Sequence, residues 1–299
     1  MLPIATSAVL VVVHRPTLDA EGSGPQSSLV DASNPTVHAM DLGVTRGDGI
    51  FETVGIRHGR VQASDAHFAR FENSARLLDL PRPDIDAYRD ALQLGIDAMG
   101  DTTDAYAKYV LTRGREDDPA QPATGYVYFN TNDDHTAVRE SGLRVITLSR
   151  GYSLDVASTS PWLLQGAKYL SYAVNRAVIR EARRRSADDV LFTTTDGFVL
   201  EGPTSTLVLL RDGVFVTPDP EHGVLVGTTQ CSVFDFAAAA GFPTQVADVS
   251  LPQLLDSSAL WLTNSQRLAV PVTSIDGHPV ATDPIMTERI NAFLAARAV

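Results

Sequence analysis

Between Asp189 and Val216 the chain carries two Asp-Gly dipeptides, Asp196-Gly197 and Asp212-Gly213, each set between runs rich in β-branched and aromatic residues. Asp-Gly tolerates the positive φ values that a tight antiparallel turn demands. Asp189–Thr194 with Gly197–Leu200, and Thr206–Leu210 with Gly213–Val216, are therefore expected as hairpins. Single helical stretches separate the hairpins. One is Ser171–Arg185, where Val174, Ala177, Val178 and Ala182 share a side and Arg183-Arg184-Arg185 complements the negative end of the helix dipole. Strands that turn straight back on themselves cannot build a doubly wound parallel sheet, which needs a crossover after each strand. The expected class is α+β, with a mixed sheet wrapped toward a barrel and helices around it.

The chain has 299 residues and 44% hydrophobic content, enough for two cores. Residues 1–130 are expected as a small α+β domain. It starts with a buried strand at Ala8–Val13, followed by a Gly/Ser/Pro-rich loop at Glu21–Ser28. Ser64 is expected to cap a helix that repeats Phe68, Phe71, Ala75 and Leu78 at helical spacing. A second helix should run from Asp84 to Met99, with strands at Ala105–Thr112 and Tyr126–Asn130. Residues 131–141 are polar and charged and read as a linker, and residues 142–299 as a larger domain.

A net charge of −12 argues against nucleic-acid or anionic-membrane partners, which need basic patches. Met1–Thr6 lacks a basic leader region, and no apolar run is long enough to span a bilayer. A lone cysteine, Cys231, excludes an internal disulfide and a multi-cysteine zinc site. It reads as a buried helix residue, and the expected compartment is the cytoplasm.

Of 24 basic residues 22 are arginine, leaving only Lys108 and Lys168 as amines. Lys168 lies in Leu164-Gln165-Gly166-Ala167-Lys168-Tyr169-Leu170-Ser171-Tyr172. Apolar neighbours lower a lysine pKa toward the nucleophilic form, so Lys168 is a Schiff-base candidate. The same residues also fit a surface lysine laying its stem on apolar neighbours. Other elements are equally open in isolation. Gly47-Asp48-Gly49 fits a plain turn, Arg70 a solvated arginine, and Glu201 an exposed turn carboxylate. Gly227-Thr228-Thr229 before a helix fits ordinary capping as well as an anion site.

Taken in order, these stretches resemble the class IV aminotransferases. They comprise Gly47-Asp48-Gly49-Ile50-Phe51-Glu52, His67-Phe68-Ala69-Arg70, Ala167-Lys168-Tyr169-Leu170-Ser171, Glu201-Gly202-Pro203-Thr204-Ser205, Leu225-Val226-Gly227-Thr228-Thr229 and Asn264-Ser265-Gln266-Arg267. That family comprises the fold-type IV enzymes of pyridoxal 5′-phosphate (PLP): branched-chain and D-amino acid aminotransferases and 4-amino-4-deoxychorismate lyase. The resemblance covers about Asp41 to Val272 and implies a two-domain fold-type IV architecture. It makes Lys168 the catalytic, PLP-linked residue. Arg70, Gly227, Thr228, Thr229 and Ser265 would hold the phosphate, and Glu201 would face the pyridine nitrogen. It also implies a homodimer acting on a small amine or carboxylate substrate, with no metal.

Within the family, Asn264-Ser265-Gln266-Arg267 resembles the lyases, which release pyruvate and 4-aminobenzoate for folate synthesis. Arg113-Gly114-Arg115-Glu116-Asp117 departs from the Arg-x-His of D-amino acid aminotransferases, and Lys108 stands where branched-chain enzymes have arginine. The lyase reading leads. Transamination of D-amino or branched-chain amino acids is the alternative, with both activities open to one protein. A non-catalytic relative is disfavoured by intact Lys168 and Glu201. Substrate carboxylates would meet Arg267, Lys108, Arg46 or Arg115, with Asn264 beside them, although Arg267 also fits a surface arginine paired with an acidic loop.

Overall fold

The computed structural model describes residues 8–100, 103–118, 120 and 123–297. The expectation about a leader at Met1–Thr6 lies outside them. The chain divides into two compact units: residues up to Asp133 together with Ala167–Ser171, and Asp134–Gly166 together with the residues from Tyr172 on.

In the first unit six antiparallel strands run in the order β2-β1-β6-β5-β3-β4. They are β1 (Val9–Val13), β2 (Ser27–Val30), β3 (Gly49–Arg57), β4 (Arg60–Val61), β5 (Ala105–Thr112) and β6 (Gly125–Thr131). Three helices accompany them: α1 (Leu42–Thr45), α2 (Ser64–Leu77) and α3 (Ile85–Met99). Period-two alternation along β3 buries Ile50, Glu52, Val54 and Ile56 completely on the face covered by α2, while Phe51 and Thr53 stay half-buried on the other. Asp84 caps α3 by accepting from the Ala87 N–H at 3.1 Å. Ser64, expected as a cap, is instead the first helical residue of α2. Ala63 precedes it in a left-handed conformation (φ 51°) and makes no side-chain cap bond.

The second unit holds ten strands: β7 (Leu143–Ser149), β8 (Asp189–Thr193), β9 (Phe198–Val199), β10 (Thr206–Arg211), β11 (Val214–Pro218), β12 (Thr244–Ala247), β13 (Val249–Ser250), β14 (Ala259–Asn264), β15 (Leu268–Ile275) and β16 (His278–Pro279). Its helices are α4 (Thr136–Ser141), α5 (Val156–Thr159), α6 (Ala173–Arg184), α7 (Thr228–Ala239), α8 (Leu251–Leu255) and α9 (Pro284–Ala296). The main path runs β12-β11-β10-β14-β15-β7-β8-β9-β13, with β16 beside β15. Its two ends, β12 and β13, are separated in the chain by Asp248 alone, so the sheet curls into a nearly closed barrel. Leu191, Leu207, Leu209, Leu260, Leu262 and Val270 fill one core. Helices α7 and α9 pack on Val208, Phe215 and Trp261, and α6 on Val190 and Phe192. The architecture is the α+β fold with a mixed barrel-like sheet that the hairpin spacing implied.

Local departures have local causes. Asp212 (φ 50°) and Gly213 (φ 76°) make the expected two-residue turn between β10 and β11. At Asp196-Gly197 the turn is wider, because the Asp196 carboxylate accepts from the Leu154 N–H at 3.1 Å and β9 shortens to two residues. Helix α6 begins at Ala173, not Ser171, since the preceding residues are extended and paired elsewhere. Thr136–Ser141, read as linker, is helical. Among the described residues no helix is long and apolar enough to cross a membrane.

Helix α3 lies close against the sheet at Gly95, where a Cβ would lie 2.1 Å from the ring of Phe129, itself fully buried. Gly95→Ala is expected to cost about 1–3 kcal/mol through overpacking, despite the better helix propensity of alanine. A lowered urea midpoint checks this, and an unchanged one would show that the Phe129 ring can step aside.

Candidate active site

Strand β4 pairs only with Ile56 and Arg57, leaving that edge of β3 open at Gly49–Phe51. Lys168–Leu170 occupies it. The Phe51 N–H donates to the Lys168 carbonyl (3.1 Å), the Leu170 N–H donates to the Gly49 carbonyl (2.8 Å), and Ile50 bridges to Tyr169. From α2 the Ser74 hydroxyl accepts from the Lys168 N–H at 3.1 Å. Close approach explains the two glycines of Gly-Asp-Gly. A Cβ on Gly47 would meet Ser171 Oγ at 2.4 Å, and one on Gly49 would meet the Leu111 carbonyl oxygen at 2.7 Å. Alternation along β3 turns Phe51 toward the lysine. Lys168 Nζ lies 4.7 Å from the Phe51 ring centroid and Lys108 Nζ lies 5.6 Å from it, so both lysine amines stand at one ring.

The next residue, Glu52, points to the other face. Its Oε1 accepts from Arg70 Nε (2.6 Å), and its Oε2 from Arg70 Nη2 (2.7 Å) and His67 Nδ1 (2.8 Å). Glu52 and His67 are fully buried and the Arg70 side chain is 11% exposed. Burial pushes the Glu52 carboxyl up, but the Arg70 charge and hydrogen bonds, with those of His67, outweigh it and hold it well below the usual carboxylate range. Burial lowers the His67 pKa against the opposing pull of Glu52, so the ring is neutral and its Nδ1 carries the proton that Glu52 accepts.

The second unit gathers the remaining residues. Glu201 follows β9, and its Oε2 accepts from the Leu225 N–H at 3.3 Å. Helix α7 starts after Gly227, and no side chain caps it. Thr228 and Thr229, considered as caps from the sequence, sit inside its first turn. Thr229 is 2% exposed and its Oγ1 has no hydrogen-bond partner. A Cβ on Gly227 would strike Thr206 Oγ1 at 2.3 Å, which seats the helix start on β10. Asn264 Oδ1 accepts from the N–H groups of Gln266 (3.1 Å) and Arg267 (2.8 Å), and its Nδ2 donates to the Thr204 carbonyl (3.3 Å), fixing the turn that carries Ser265. Glu201, the start of α7 and the Ser265 turn thus converge on the entry to β10.

The remaining candidates fall differently. Arg267, expected to meet a substrate carboxylate, has its Nη2 on Asp189 Oδ2 at 2.8 Å, with 19% and 2% of the two side chains exposed. Arg115 pairs with Asp117 at 3.1 and 2.8 Å. Arg46 is 64% exposed and lies 3.6 Å from Glu116. Cys231 lies on α7 as expected but is half-buried, because it sits on the flank of the helix. Glu52, Ser74 and Asp189 were not singled out from the sequence as partners. Only Glu52 gave a signal, as the last residue of Gly-Asp-Gly-x-Phe-Glu.

A sequence model of the amino-transferase class IV family matches residues 49–275, from the first residue of β3 to the last of β15. The chain belongs to that family. Among its class IV relatives is a protein of Mycobacterium tuberculosis described as a bifunctional aminodeoxychorismate lyase / D-amino acid transaminase, 39% identical over 90% of this chain and 93% of that one. Among solved structures, a fold IV transaminase from Curtobacterium pusillum superposes with a TM-score of 0.93 at 46% identity, covering 98% of each chain. A hypothetical aminotransferase from Mycobacterium tuberculosis in a PLP-bound form gives 0.87 at 35% identity, over 97% of this class IV chain and 98% of that one.

The Arg267–Asp189 pair yields a test that separates structure from substrate contact. Arg267→Ala leaves a buried carboxylate unpaired and is expected to destabilise the fold by about 3–5 kcal/mol. Adding Asp189→Asn should restore much of the loss in urea unfolding. A variant of unchanged stability that only raises KM would instead make Arg267 a substrate clamp.

Proposed function

We propose that this chain is a PLP enzyme that performs aminodeoxychorismate-lyase chemistry, releasing pyruvate and 4-aminobenzoate for folate synthesis, and that the same residues also transaminate amino acids. The observation that carries the reading is the placement of Lys168. Its backbone is fastened to β3 and α2, and its amine lies at the Phe51 ring beside the other lysine amine.

The residues fit PLP. Arg70 offers a planar guanidinium already held in one orientation. The start of α7, which no side chain caps, would present Thr228 and Thr229 to the phosphate, and the orphaned, buried Thr229 hydroxyl suits a phosphate oxygen. Gly227 and Ser265 complete this assignment. Glu201 would hold a proton at the pyridine nitrogen. When bound, PLP supplies an electron sink for negative charge developing next to the substrate nitrogen. Lys168 would carry the cofactor and act as the base, taking the ring proton beside the substrate nitrogen in the lyase reaction. Loss of pyruvate then aromatises the ring. In transamination the same amine would return its proton elsewhere, water would release the keto acid, and a second keto acid would take up the amino group. Lys108 is the substrate cation we favour, because its amine stands at the same Phe51 ring as that of Lys168. Asn264 acts by shaping the Ser265 turn.

Transamination is the second reading, favoured by Lys108 at the same ring and by the bifunctional description of the Mycobacterium tuberculosis relative. A homodimer is also proposed. Helix α6 has one buried residue, Ala182, and exposes Val174, while Trp162 is 72% exposed. The lone cysteine suits a reducing, cytoplasmic compartment.

Lys168→Ala should abolish pyruvate release from aminodeoxychorismate and keto-acid formation from a D-amino acid, and borohydride reduction of wild-type holoprotein should fix the cofactor to a peptide containing Lys168. Label on Lys108 would overturn the assignment. Light scattering should report twice 32.1 kDa, and an active monomer would contradict the dimer.

A further inference from the structure

Glu52 is fully buried on the α2-facing side of β3. Both carboxylate oxygens are spent on fixing one guanidinium. The fork binds the Nε–Nη2 edge of Arg70, with 2.6 and 2.7 Å contacts, which fixes the plane of the guanidinium. His67, three residues before Arg70 on α2, spends its own buried donor on the same carboxylate at 2.8 Å. The ring of Tyr109 closes the site from β5, directly opposite Glu52 in the strand register, and its hydroxyl is buried without a partner. Glu52 is sealed from solvent while the Arg70 side chain keeps 11% of its surface exposed. An arginine held this way surrenders little rotamer entropy when it grips an anion, whereas a solvated one must be ordered at the moment of binding.

We infer that Glu52, steadied by His67, is the positioning residue that presents Arg70 to the cofactor phosphate. The inference rests on the reading that Arg70 binds that phosphate. It explains why β3 carries a carboxylate immediately after Phe51. One strand aims the ring at Lys168 and the acid at Arg70.

The test measures apoprotein affinity for PLP and for pyridoxal, which lacks the phosphate, in wild type, Glu52→Gln, Arg70→Ala and the double variant, with unfolding followed in parallel. Glu52→Gln is expected to weaken PLP about tenfold, the scale of one misdirected charged contact, with pyridoxal unchanged and no further loss in the Arg70→Ala background. The 31P resonance of bound PLP should also move toward its free position. Equal loss for PLP and pyridoxal, or a lower unfolding midpoint with PLP affinity intact, would overturn the positioning role and make Glu52 structural. Unchanged PLP affinity in Arg70→Ala would instead overturn the phosphate reading itself. Should Glu52→Gln fail to fold, His67→Asn withdraws a single hydrogen bond from the carboxylate. It should lower the PLP-to-pyridoxal affinity ratio about threefold, and an unchanged ratio would again sink the inference.

Discussion

Two backbone hydrogen bonds, from Phe51 to Lys168 and from Leu170 to Gly49, set the position of the amine on which the proposed chemistry depends. They form because β4 is two residues long and leaves the rest of that edge of β3 without a partner. Unpaired edge N–H and C=O groups attract another extended segment. The segment that answers is far away in sequence, and the β3 register then fixes what it meets. Phe51 faces Lys168 and Glu52 faces Arg70, so a slip of one residue would exchange the two surfaces and disable both. Closeness carries its own requirement, met by glycine at 47 and 49, where any side chain would collide.

The second unit solves a different problem, which is to hold the buried Thr229 hydroxyl without a partner inside the fold. Barrel closure through Asp248 and the apolar core around Leu207, Leu209 and Leu262 give a scaffold that tolerates polar exceptions at the entry to β10. There an uncapped helix start, an orphaned threonine hydroxyl and a turn ordered by Asn264 stand together. An orphaned buried hydroxyl carries a desolvation cost with no return inside the fold, which argues that its partner is a ligand.

Hairpins, most strand limits and the order of the motifs were legible in the sequence because they depend on local chemistry: Asp-Gly turns, alternation, and Asp84 as a cap. What escaped is long-range or competitive. Ser171 failed as a helix start because the residues before it are drawn into a sheet by a strand more than a hundred positions upstream. Ser64 failed as a cap because Ala63 takes the left-handed turn into α2. At the site, Lys168 and Arg70 stood out through composition and family resemblance. Asp189 did not, since an acidic residue opening a strand gives no hint that it will be buried against an arginine 78 positions later.

The division of labour between the two kinds of cation bears on substrate range. Arg70, Arg115 and Arg267 each engage a carboxylate partner, and two of those pairs are forks. Guanidinium geometry rewards such fixed, planar pairing. The amines at 108 and 168 are compact charges on flexible stems and both stand at the Phe51 ring. On the proposed reading, a substrate carboxylate meets a point charge at Lys108 where a planar fork would enforce one orientation. A point charge discriminates weakly between carboxylates presented at different angles, because its three donors rotate to follow the anion. Such tolerance is what a single site needs if it is to accept both a small amino acid and a larger dicarboxylate, with phosphate anchoring supplying the rigidity that substrate recognition gives up.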